Sequence, residues 1–199
     1  MLKESVKKWQ QFVSGDSEAY SWLYKTYIQV LYSYGTRFTS DFELIKDCIQ
    51  EVFTNIWKNR TNLSPPGNVK VYLMVSLKNS LIRHLYKKEL FHDYDIDEAI
   101  TFSLEPTVEE EYIDNEESDH IQQKVKEILS LLTPRQQEII YYRFIQELSF
   151  EEICTLMDLN YQSAQNLIQR SLHKIRDSYG SFELLVILIS FTNAMTPTG

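Results

Sequence analysis

The sequence predicts an all-α protein of two helical domains joined by an acidic linker, with a helix-turn-helix in the C-terminal domain. Glycine and proline are scarce, at five each in 199 residues. Apolar residues recur at spacings of three and four, the period of an amphipathic helix, and no stretch alternates as a half-buried strand does. The charges divide the chain, since residues 93–119 hold twelve Asp or Glu and no Lys or Arg.

This division sets the predicted domain boundaries. We expect an N-terminal helical domain over residues 1–92, an acidic linker over 93–119, a C-terminal helix-turn-helix domain over 120–180 and an apolar extension over 181–199. The whole chain has a net charge of −8, but residues 1–92 carry 13 basic and 8 acidic groups, a mildly cationic surface that suits a polyanion. Like charge as dense as that of the linker is typical of a disordered spacer.

Four helices are predicted in the N-terminal domain. The first ends at Gly15, and Asp16 caps the second. The third, about residues 41–58, is predicted to start with a capping box of Ser40 and Glu43, and a fourth begins near Val69, after a proline-containing loop. The predicted apolar stripes of the second and third helices are Ala19, Tyr20, Leu23, Tyr24, Tyr27, Leu31 and Phe38, and Leu44, Ile45, Cys48, Ile49, Val52, Phe53 and Ile56.

The predicted fourth helix has leucines along one side and a mixture of basic, aromatic and polar residues around them. Such a mixture can follow a nucleic-acid backbone and stack unpaired bases. A helix with leucines inside and lysines outside is equally common in any helical bundle, so the pattern alone decides little. The residues concerned are Tyr72, Lys78, Asn79, Arg83, His84, Tyr86, Lys87 and Lys88.

The C-terminal domain is predicted to begin its helices with two capping boxes, Thr133 with Gln136 and Ser149 with Glu152. A short turn at residues 158–160 precedes the last helix, whose polar face is rich in amides that pair bidentately with adenine edges and has cations for phosphates. We favour a DNA reader over the alternative, a plain helical hairpin with a solvated face. The polar face consists of Gln162, Gln165, Asn166, Gln169, Arg170, His173 and Lys174.

The other chemistry-bearing residues predict no enzyme. Cys48 and Cys154 lie on apolar helix faces, which predicts buried thiols, and the four histidines lack the clustering of a zinc site or a catalytic base. We therefore expect no catalytic residue, metal, cofactor or small-molecule substrate. No signal peptide is recognised, which predicts a cytoplasmic protein. The apolar segment Phe182–Phe191 is too short to span a bilayer. We expect it to pack on one of the domains, and the alternative is a surface for a protein partner.

Four successive blocks of the sequence resemble the extracytoplasmic-function sigma factors of the sigma-70 family. They are GDSEAYSWLYKTYIQVLYSYGTRF, DFELIKDCIQEVFTNIW, VYLMVSLKNSLIRHLYKK and, after the acidic linker, LTPRQQEIIYYRFIQELSFEEICTLM. The resemblance covers residues of about 10–178. It implies a two-domain transcription initiation factor, not itself an enzyme, that gives core RNA polymerase its promoter specificity and helps to open the duplex.

The resemblance also implies roles for residues of the N-terminal domain. Asp47, Gln50 and Glu51 match the block that docks on the clamp helices of the polymerase's largest subunit, although their spacing alone would indicate only a solvated face. The block from residue 72 to 88 matches the part that captures a flipped base of the minus-ten element, with Asn79 at the family's Asn position. The implied minus-ten DNA-binding residues are Tyr72, Lys78, Asn79, Arg83, Lys87 and Lys88.

The last helix matches the reader of the duplex minus-thirty-five element, and Arg135 and Arg143 match positions that hold phosphates or the polymerase flap. The sequence departs from the family in having Arg83 where Asp is frequent and no Gly before Ser149. It also has Ser163-Ala164-Gln165 where Thr-Val-Arg or Thr-Val-Lys is common. The implied minus-thirty-five DNA-binding residues are Gln162, Ser163, Gln165, Asn166, Gln169, Arg170, His173 and Lys174.

The implied partners are core RNA polymerase, promoter DNA as duplex and as melted strand, and an anti-sigma factor, which in the family is commonly membrane-bound. In related sigma factors the linker threads through the polymerase's active-site cleft and RNA exit channel. The alternatives are a helix-turn-helix regulator, for which residues 1–92 lack a sensor or receiver pattern, and a sigma-like decoy without initiation activity. A recombinase would need a nucleophile and an Arg cluster on a mixed sheet, a pattern that the N-terminal half lacks.

Overall fold

The computed structural model describes residues 2–89, 102–104 and 127–179. Within these ranges there is no β-strand, in agreement with the predicted all-α class. The chain divides into an N-terminal unit, Met1–Thr101, and a C-terminal unit, Phe102–Gly199. Most of the predicted linker, the extension over 181–199 with its segment Phe182–Phe191, and the side chain of Lys88 lie outside the described residues. No helix of the described ranges has the length and apolar character needed to cross a membrane.

The described helices of the N-terminal unit form a four-helix core. They are α1 (Leu2–Val13), α2 (Ser17–Gly35), α3 (Phe42–Asn59) and α4 (Val69–Glu89), with a short 3-10 turn, Arg60–Asn62, after α3. Helix α2 packs against each of the other three, and α3 also packs along α4. The packing of α3 on α4 brings together two segments of the chain to which the sequence assigns separate functions.

Side-chain caps mark the first residues of α2 and α3. Asp16 caps α2, since its Oδ1 accepts hydrogen bonds from the backbone N–H groups of Glu18 and Ala19 at 2.8 and 3.1 Å. The predicted capping box of Ser40 and Glu43 is wrong. Helix α3 begins one residue later, and the Oδ1 of Asp41 accepts the N–H of Leu44 at 3.1 Å, so Asp41 is its cap.

The aromatic residues of the N-terminal unit are mostly buried between its helices. Trp9 is fully buried, with its ring edge-on to Phe12 and Tyr72 at centroid distances of 5.4 and 5.1 Å. The predicted stripe of α2 is buried at Ala19, Leu23, Tyr27 and Leu31, but Tyr24 is 38% exposed and only flanks Phe53. The two other tryptophans, Trp22 and Trp57, are half-buried in the same unit.

One close contact in this core requires a glycine. The backbone of Gly35, the last residue of α2, lies so near α3 that a Cβ added there would be 2.6 Å from Cγ2 of Ile45. Ile45 is fully buried, so its branched side chain has no space into which it could withdraw. Any larger residue at position 35 would therefore force α2 and α3 apart.

The described helices of the C-terminal unit include a helix-turn-helix. Helix α5 (Pro134–Ile140) continues into a π-helical turn, Tyr141–Ile145, and is followed by α6 (Phe150–Met157) and α7 (Tyr161–Tyr179). Residues 127–131 are also helical. Both predicted capping boxes are confirmed, Thr133 with Gln136 at α5 and Ser149 with Glu152 at α6.

The thiols differ from the prediction in one respect. Cys48 is fully buried on α3, whereas Cys154 is only half-buried, because it lies beside the apolar face of the short helix α6 rather than at its centre. Burial raises the pKa of both thiols above the ordinary value. Both groups are therefore held in the protonated form.

Two connections of the helix-turn-helix use left-handed backbone. Asp158, at the end of α6, has φ 51°, and Glu147, just before the cap of α6, has φ 53°. Asp tolerates this conformation because its short side chain can bond locally, whereas Glu gains no such compensation. Glu147 lies two residues before Ser149 and has a backbone conformation that favours glycine, so the lack of a glycine there leaves local strain.

Replacing Glu147 with Gly should stabilise the C-terminal unit. The change relieves about 1–2 kcal/mol of left-handed strain and costs about 0.5–1 kcal/mol of backbone entropy. We expect the free energy of unfolding, measured by urea denaturation, to rise by up to about 1.5 kcal/mol. The matched change Glu151→Gly, in the first turn of α6, removes no strain and should lower it by about 1 kcal/mol. A loss of stability in both variants would contradict this account.

Candidate functional site

The polymerase patch implied by the sequence lies on α3, on the side of the helix away from the core. Asp47 and Gln50 are exposed, while Cys48, Ile49 and Val52 beside them are buried. Within the described residues neither the carboxylate of Asp47 nor the amide of Gln50 makes a hydrogen bond or ion pair. Both polar groups are therefore available to a partner.

Glu51, the third member of the implied patch, is engaged by α4. Its Oε2 accepts a 2.7 Å hydrogen bond from the hydroxyl of buried Ser80, and its Oε1 lies 2.6 Å from Nη2 of Arg83. Nε2 of His84 is 3.2 Å from Oε2. We call Glu51, Ser80, Arg83 and His84 the Glu51 cluster. The Glu51 carboxylate therefore links α3 to α4, the helix that carries the implied DNA-binding residues.

The electrostatics of this cluster keep Glu51 ionised. The pKa of the Glu51 carboxyl is held below its ordinary value, chiefly by the hydrogen bond from Ser80. Desolvation opposes this shift, and His84 and Arg83 add smaller contributions that lower the pKa further. The side chains of Glu51 and Arg83 are 35% and 60% exposed, so water screens the ion pair. A strong competing anion or cation could therefore open the pair at little cost in stability.

A cavity of about 170 Å³ lies between α3 and α4, beside the Glu51 cluster. Most of the residues that line it have polar side chains, among them Asn79 and Arg83 from α4 and two further asparagines from α3. An apolar cavity of about 150 Å³ admits a benzene ring, so this space is sufficient for one flat ring. The lining residues are Glu51, Val52, Asn55, Ile56, Asn59, Leu63, Tyr72, Ser76, Asn79, Ser80 and Arg83.

The structure brings together only part of the implied minus-ten set. Tyr72, Asn79 and Arg83 line the cavity, and Tyr72 is held there by its contact with Trp9. Lys78 is not part of the lining, and its Nζ lies 6.0 Å from the ring centroid of Phe38. Lys87 is exposed near the end of α4. Three of the implied residues thus line one cavity, whereas the two lysines lie elsewhere on α4.

The polar face of α7 is mostly exposed. Gln162, Asn166 and Gln169 follow one another at spacings of four and three, and Gln162 Nε2 donates to Asn166 Oδ1 at 3.1 Å. Arg170 and Lys174 are exposed beyond them, and His173 pairs with Asp177. Ser163 and Gln165 are half-buried and so less accessible than the others. Ala164, Leu167, Ile168 and Ile175 hold the opposite face in the core.

Sequence reasoning missed an aromatic group at the start of α7. Tyr161 is 48% exposed, and its ring packs on that of Phe150 at a centroid distance of 5.2 Å. The guanidinium of Arg143 covers the same Phe150 ring at 5.3 Å and donates to the carbonyl of Leu148 at 2.9 Å. Arg135 likewise donates to the carbonyl of Met157 at 3.3 Å. The side chains of both arginines therefore hydrogen-bond to the backbone of the helix-turn-helix itself.

Within the described ranges, no group of three or more His, Cys, Asp or Glu side chains is placed to hold a metal ion. The polar side chains that line the cavity between α3 and α4 are amides, hydroxyls, one carboxylate and one guanidinium. This combination offers hydrogen bonds and charge to a ligand.

Comparisons with known proteins match both units of the chain. Residues 7–90 match the model described as Sigma-70 region 2, and residues 122–175 match that described as Sigma-70, region 4. No curated protein matches the chain.

Two solved structures are also similar. One is CnrH in complex with the cytosolic domain of CnrY, at 16% identity over 87% of this chain and 95% of that chain, with a TM-score of 0.55. The other is an RsbN–BldN complex, at 18% identity over 85% of this chain and 97% of that chain, with a TM-score of 0.34. The first of these has the same fold.

Proposed function

The chain belongs to the sigma-70 family, and we propose that it is an extracytoplasmic-function sigma factor, which binds core RNA polymerase and directs promoter-specific initiation of transcription. The observation that carries the proposal is the presence of region 2 and region 4, in that order, on two separate structural units. Such a protein works by binding and contributes no catalytic group of its own.

The polymerase contact is assigned to the exposed pair Asp47 and Gln50 on α3. Both side chains are accessible and uncommitted within the described residues, so docking would break no interaction there. Glu51 has a different position, because its carboxylate already binds Ser80 and Arg83. We infer that Glu51 serves first to position α4 against α3 and only secondarily meets the polymerase.

The minus-ten contact is assigned to the cavity between α3 and α4. A base that leaves the DNA stack costs a few kcal/mol, and a pocket that receives it offsets that cost. The amide of Asn79 offers a donor and an acceptor to the edge of such a base, and the guanidinium of Arg83 offers a cation to its phosphate. Holding one unpaired base in this way would favour melting of the duplex.

The minus-thirty-five contact is assigned to the exposed face of α7. Amides of Gln162, Asn166 and Gln169 can read base edges in a major groove, while Arg170 and Lys174 can meet phosphates. The cations are few, and neutralisation of phosphates supplies most non-specific affinity. We therefore infer that the free protein binds promoter DNA weakly and depends on docking to polymerase.

An anti-sigma factor is a further proposed partner. CnrH, whose structure has the same fold, is bound to the cytosolic domain of CnrY. We infer that the present chain is likewise held by a protein partner when it is inactive. Co-purification of the chain from cells, compared before and after induction, would identify this partner.

Run-off transcription with purified core polymerase tests the proposal directly. A sigma factor yields a discrete transcript that depends on the promoter and on the added protein. A helix-turn-helix regulator or a sigma-like decoy yields none, and the decoy is distinguished because it still competes for core polymerase with an active sigma factor. Absence of any transcript from every promoter that is selected on the reconstituted complex would reject the proposed function.

Replacing Asn79 with Ala should impair opening of a duplex promoter more than binding of a pre-melted one. Losing a bidentate pair of hydrogen bonds to the edge of a captured base costs about 1–3 kcal/mol. We therefore expect a fall of about 5- to 150-fold in the rate of opening, measured by a fluorescent base in the minus-ten element. Gln29→Ala, which removes an exposed amide from α2, should leave opening unchanged. Equal losses on both templates would count against base capture.

A further inference from the structure

An exposed tyrosine begins α7, the helix whose polar face is proposed to read DNA. Tyr161 is 48% exposed, whereas the other apolar side chains that the structure describes on α7 are buried or half-buried. Within the described residues the Tyr161 hydroxyl makes no hydrogen bond. A large ring and a free polar group are therefore both accessible to a partner.

The ring of Tyr161 is held in place by its neighbours. It packs on the ring of Phe150, the first residue of α6, at a centroid distance of 5.2 Å. The Phe150 ring is itself covered by the guanidinium of Arg143, which is fixed by its hydrogen bond to the carbonyl of Leu148. A side chain that is positioned in advance loses little conformational freedom when it binds, so this arrangement favours a contact at Tyr161.

Helical geometry places Tyr161 and the cations of α7 on opposite flanks of the amide-bearing side of the helix. That side, which we call the reading face, carries Gln162, Asn166 and Gln169. At about 100° per residue, Tyr161 lies about 100° to one side of Gln162. Arg170 and Lys174 lie about 80° and about 120° to its other side. The hydroxyl and the cations therefore border the reading face on its two sides.

We propose that the Tyr161 hydroxyl binds a phosphate of the minus-thirty-five duplex, on the strand opposite the one that Arg170 and Lys174 meet. The inference rests on the proposed DNA-reading function of α7. A helix in a major groove has the backbone of one strand on each flank, and tyrosine is among the neutral donors that bind phosphate oxygens. Such a contact fixes the register of the reading face without reading a base. Because the hydroxyl is uncharged, it neutralises no phosphate and releases no counterion.

Equilibrium binding of the full-length protein to duplex DNA tests the contact. The probe is a fluorescent duplex selected from a random library on the full-length protein at low salt. Tyr161→Phe removes only the hydroxyl and keeps a ring on Phe150, so the helix-turn-helix should stay folded. We expect about a tenfold loss of affinity, with an unchanged slope of log affinity against log salt concentration. Undiminished affinity, or selection of no duplex, would overturn the proposal.

Two further variants separate the hydroxyl from charge and from the loss of any tyrosine. Arg170→Ala should reduce the magnitude of the salt slope by about 0.9, the value for one lost cationic contact. An equal reduction in Tyr161→Phe would overturn the proposal. Tyr24→Phe removes the hydroxyl of a tyrosine that is 38% exposed on the N-terminal unit, and should leave the affinity unchanged. An equal loss in Tyr24→Phe would likewise contradict the assignment.

Uncharged phosphate analogues locate the contact. In a series of duplexes, one phosphate at a time is replaced by a methylphosphonate, at successive positions of both strands. At one position the unaltered protein should lose affinity while Tyr161→Phe loses no more, which is the mark of a shared interaction. That position should lie on the strand opposite the phosphate coupled to Arg170. Additive losses at every position, or coupling of both residues to one strand, would overturn the proposal.

Uracil in place of thymine tests the other use of the ring, since it lacks only the methyl group. If the ring instead read a thymine methyl, Tyr161→Ala would abolish the sensitivity to this replacement while Tyr161→Phe kept full affinity. That result would overturn the phosphate contact.

Run-off transcription distinguishes failure of this contact from failure of the proposed function. No transcript, together with the expected loss in Tyr161→Phe, would reject the sigma factor and support the contact. A promoter-dependent transcript, together with undiminished duplex affinity of Tyr161→Phe, would reject the contact alone.

Discussion

Replacing Asp47 and Gln50 together with Ala should nearly abolish binding to core RNA polymerase while the helical content stays unchanged. Both side chains are exposed on α3, and within the described residues neither makes a hydrogen bond or ion pair, so the fold loses no contact there. If each is a strong interface residue worth about 2 kcal/mol, the dissociation constant should rise about a thousandfold. Fluorescence anisotropy with labelled sigma factor and core polymerase measures this change.

The matched control is Glu43→Ala with Lys46→Ala. These two residues are exposed on the same helix, and their 2.8 Å ion pair contributes little to stability in water. They lie outside the proposed contact, so the affinity for polymerase should be unchanged. Glu51 is not replaced, because its loss would also release Ser80 and Arg83 on α4. Retained co-purification of the Asp47 and Gln50 double variant with polymerase would count against the assignment.

Gly35→Ala should destabilise the N-terminal unit by about 1–3 kcal/mol, the usual cost of overpacking a core. The added Cβ would lie 2.6 Å from Cγ2 of Ile45, which is buried and branched at Cβ. The helices α2 and α3 must then separate where they pack. Urea denaturation should show a lower midpoint with little change in slope.

Two further variants test the cause of that loss. Gly67→Ala, in the loop before α4, meets nothing within 4 Å and should be neutral or slightly stabilising. Ile45→Ala removes the atom that clashes, so Gly35→Ala should cost much less in that background than in the unaltered protein. Additive losses in the double variant would show that the contact with Ile45 is not the reason.

Local patterns predicted the helices of this protein and several of their first residues. The capping boxes at Thr133 and Ser149 depend on groups three residues apart, so the sequence contains all the information they need. The cap of α3 was harder, since Ser40 and Asp41 are both good caps and adjacent in the chain. Which of the two residues is the cap depends on where α3 begins. The packing of the helix, rather than the spacing of residues in the sequence, decides that.

Contacts between distant residues could not be predicted in the same way. Glu51 meets Arg83 across 32 residues and Leu104 meets Gln137 across 33, and no periodicity relates such positions. The sequence therefore assigned Glu51 and Arg83 to different surfaces and treated Phe102 and Leu104 as part of an acidic spacer. These residues meet because α3 packs on α4 and the linker packs on α5. The periodicity of a single helix does not predict which helices pack together.

The distribution of the indole side chains gives each unit its own optical behaviour. Trp9, Trp22 and Trp57 all belong to the N-terminal unit, and the C-terminal unit contains tyrosines but no tryptophan. Emission excited selectively from indole therefore reports the unfolding of the N-terminal unit alone, while circular dichroism follows the helices of both. Where the two denaturation curves separate, their difference gives the stability of the helix-turn-helix inside the intact chain.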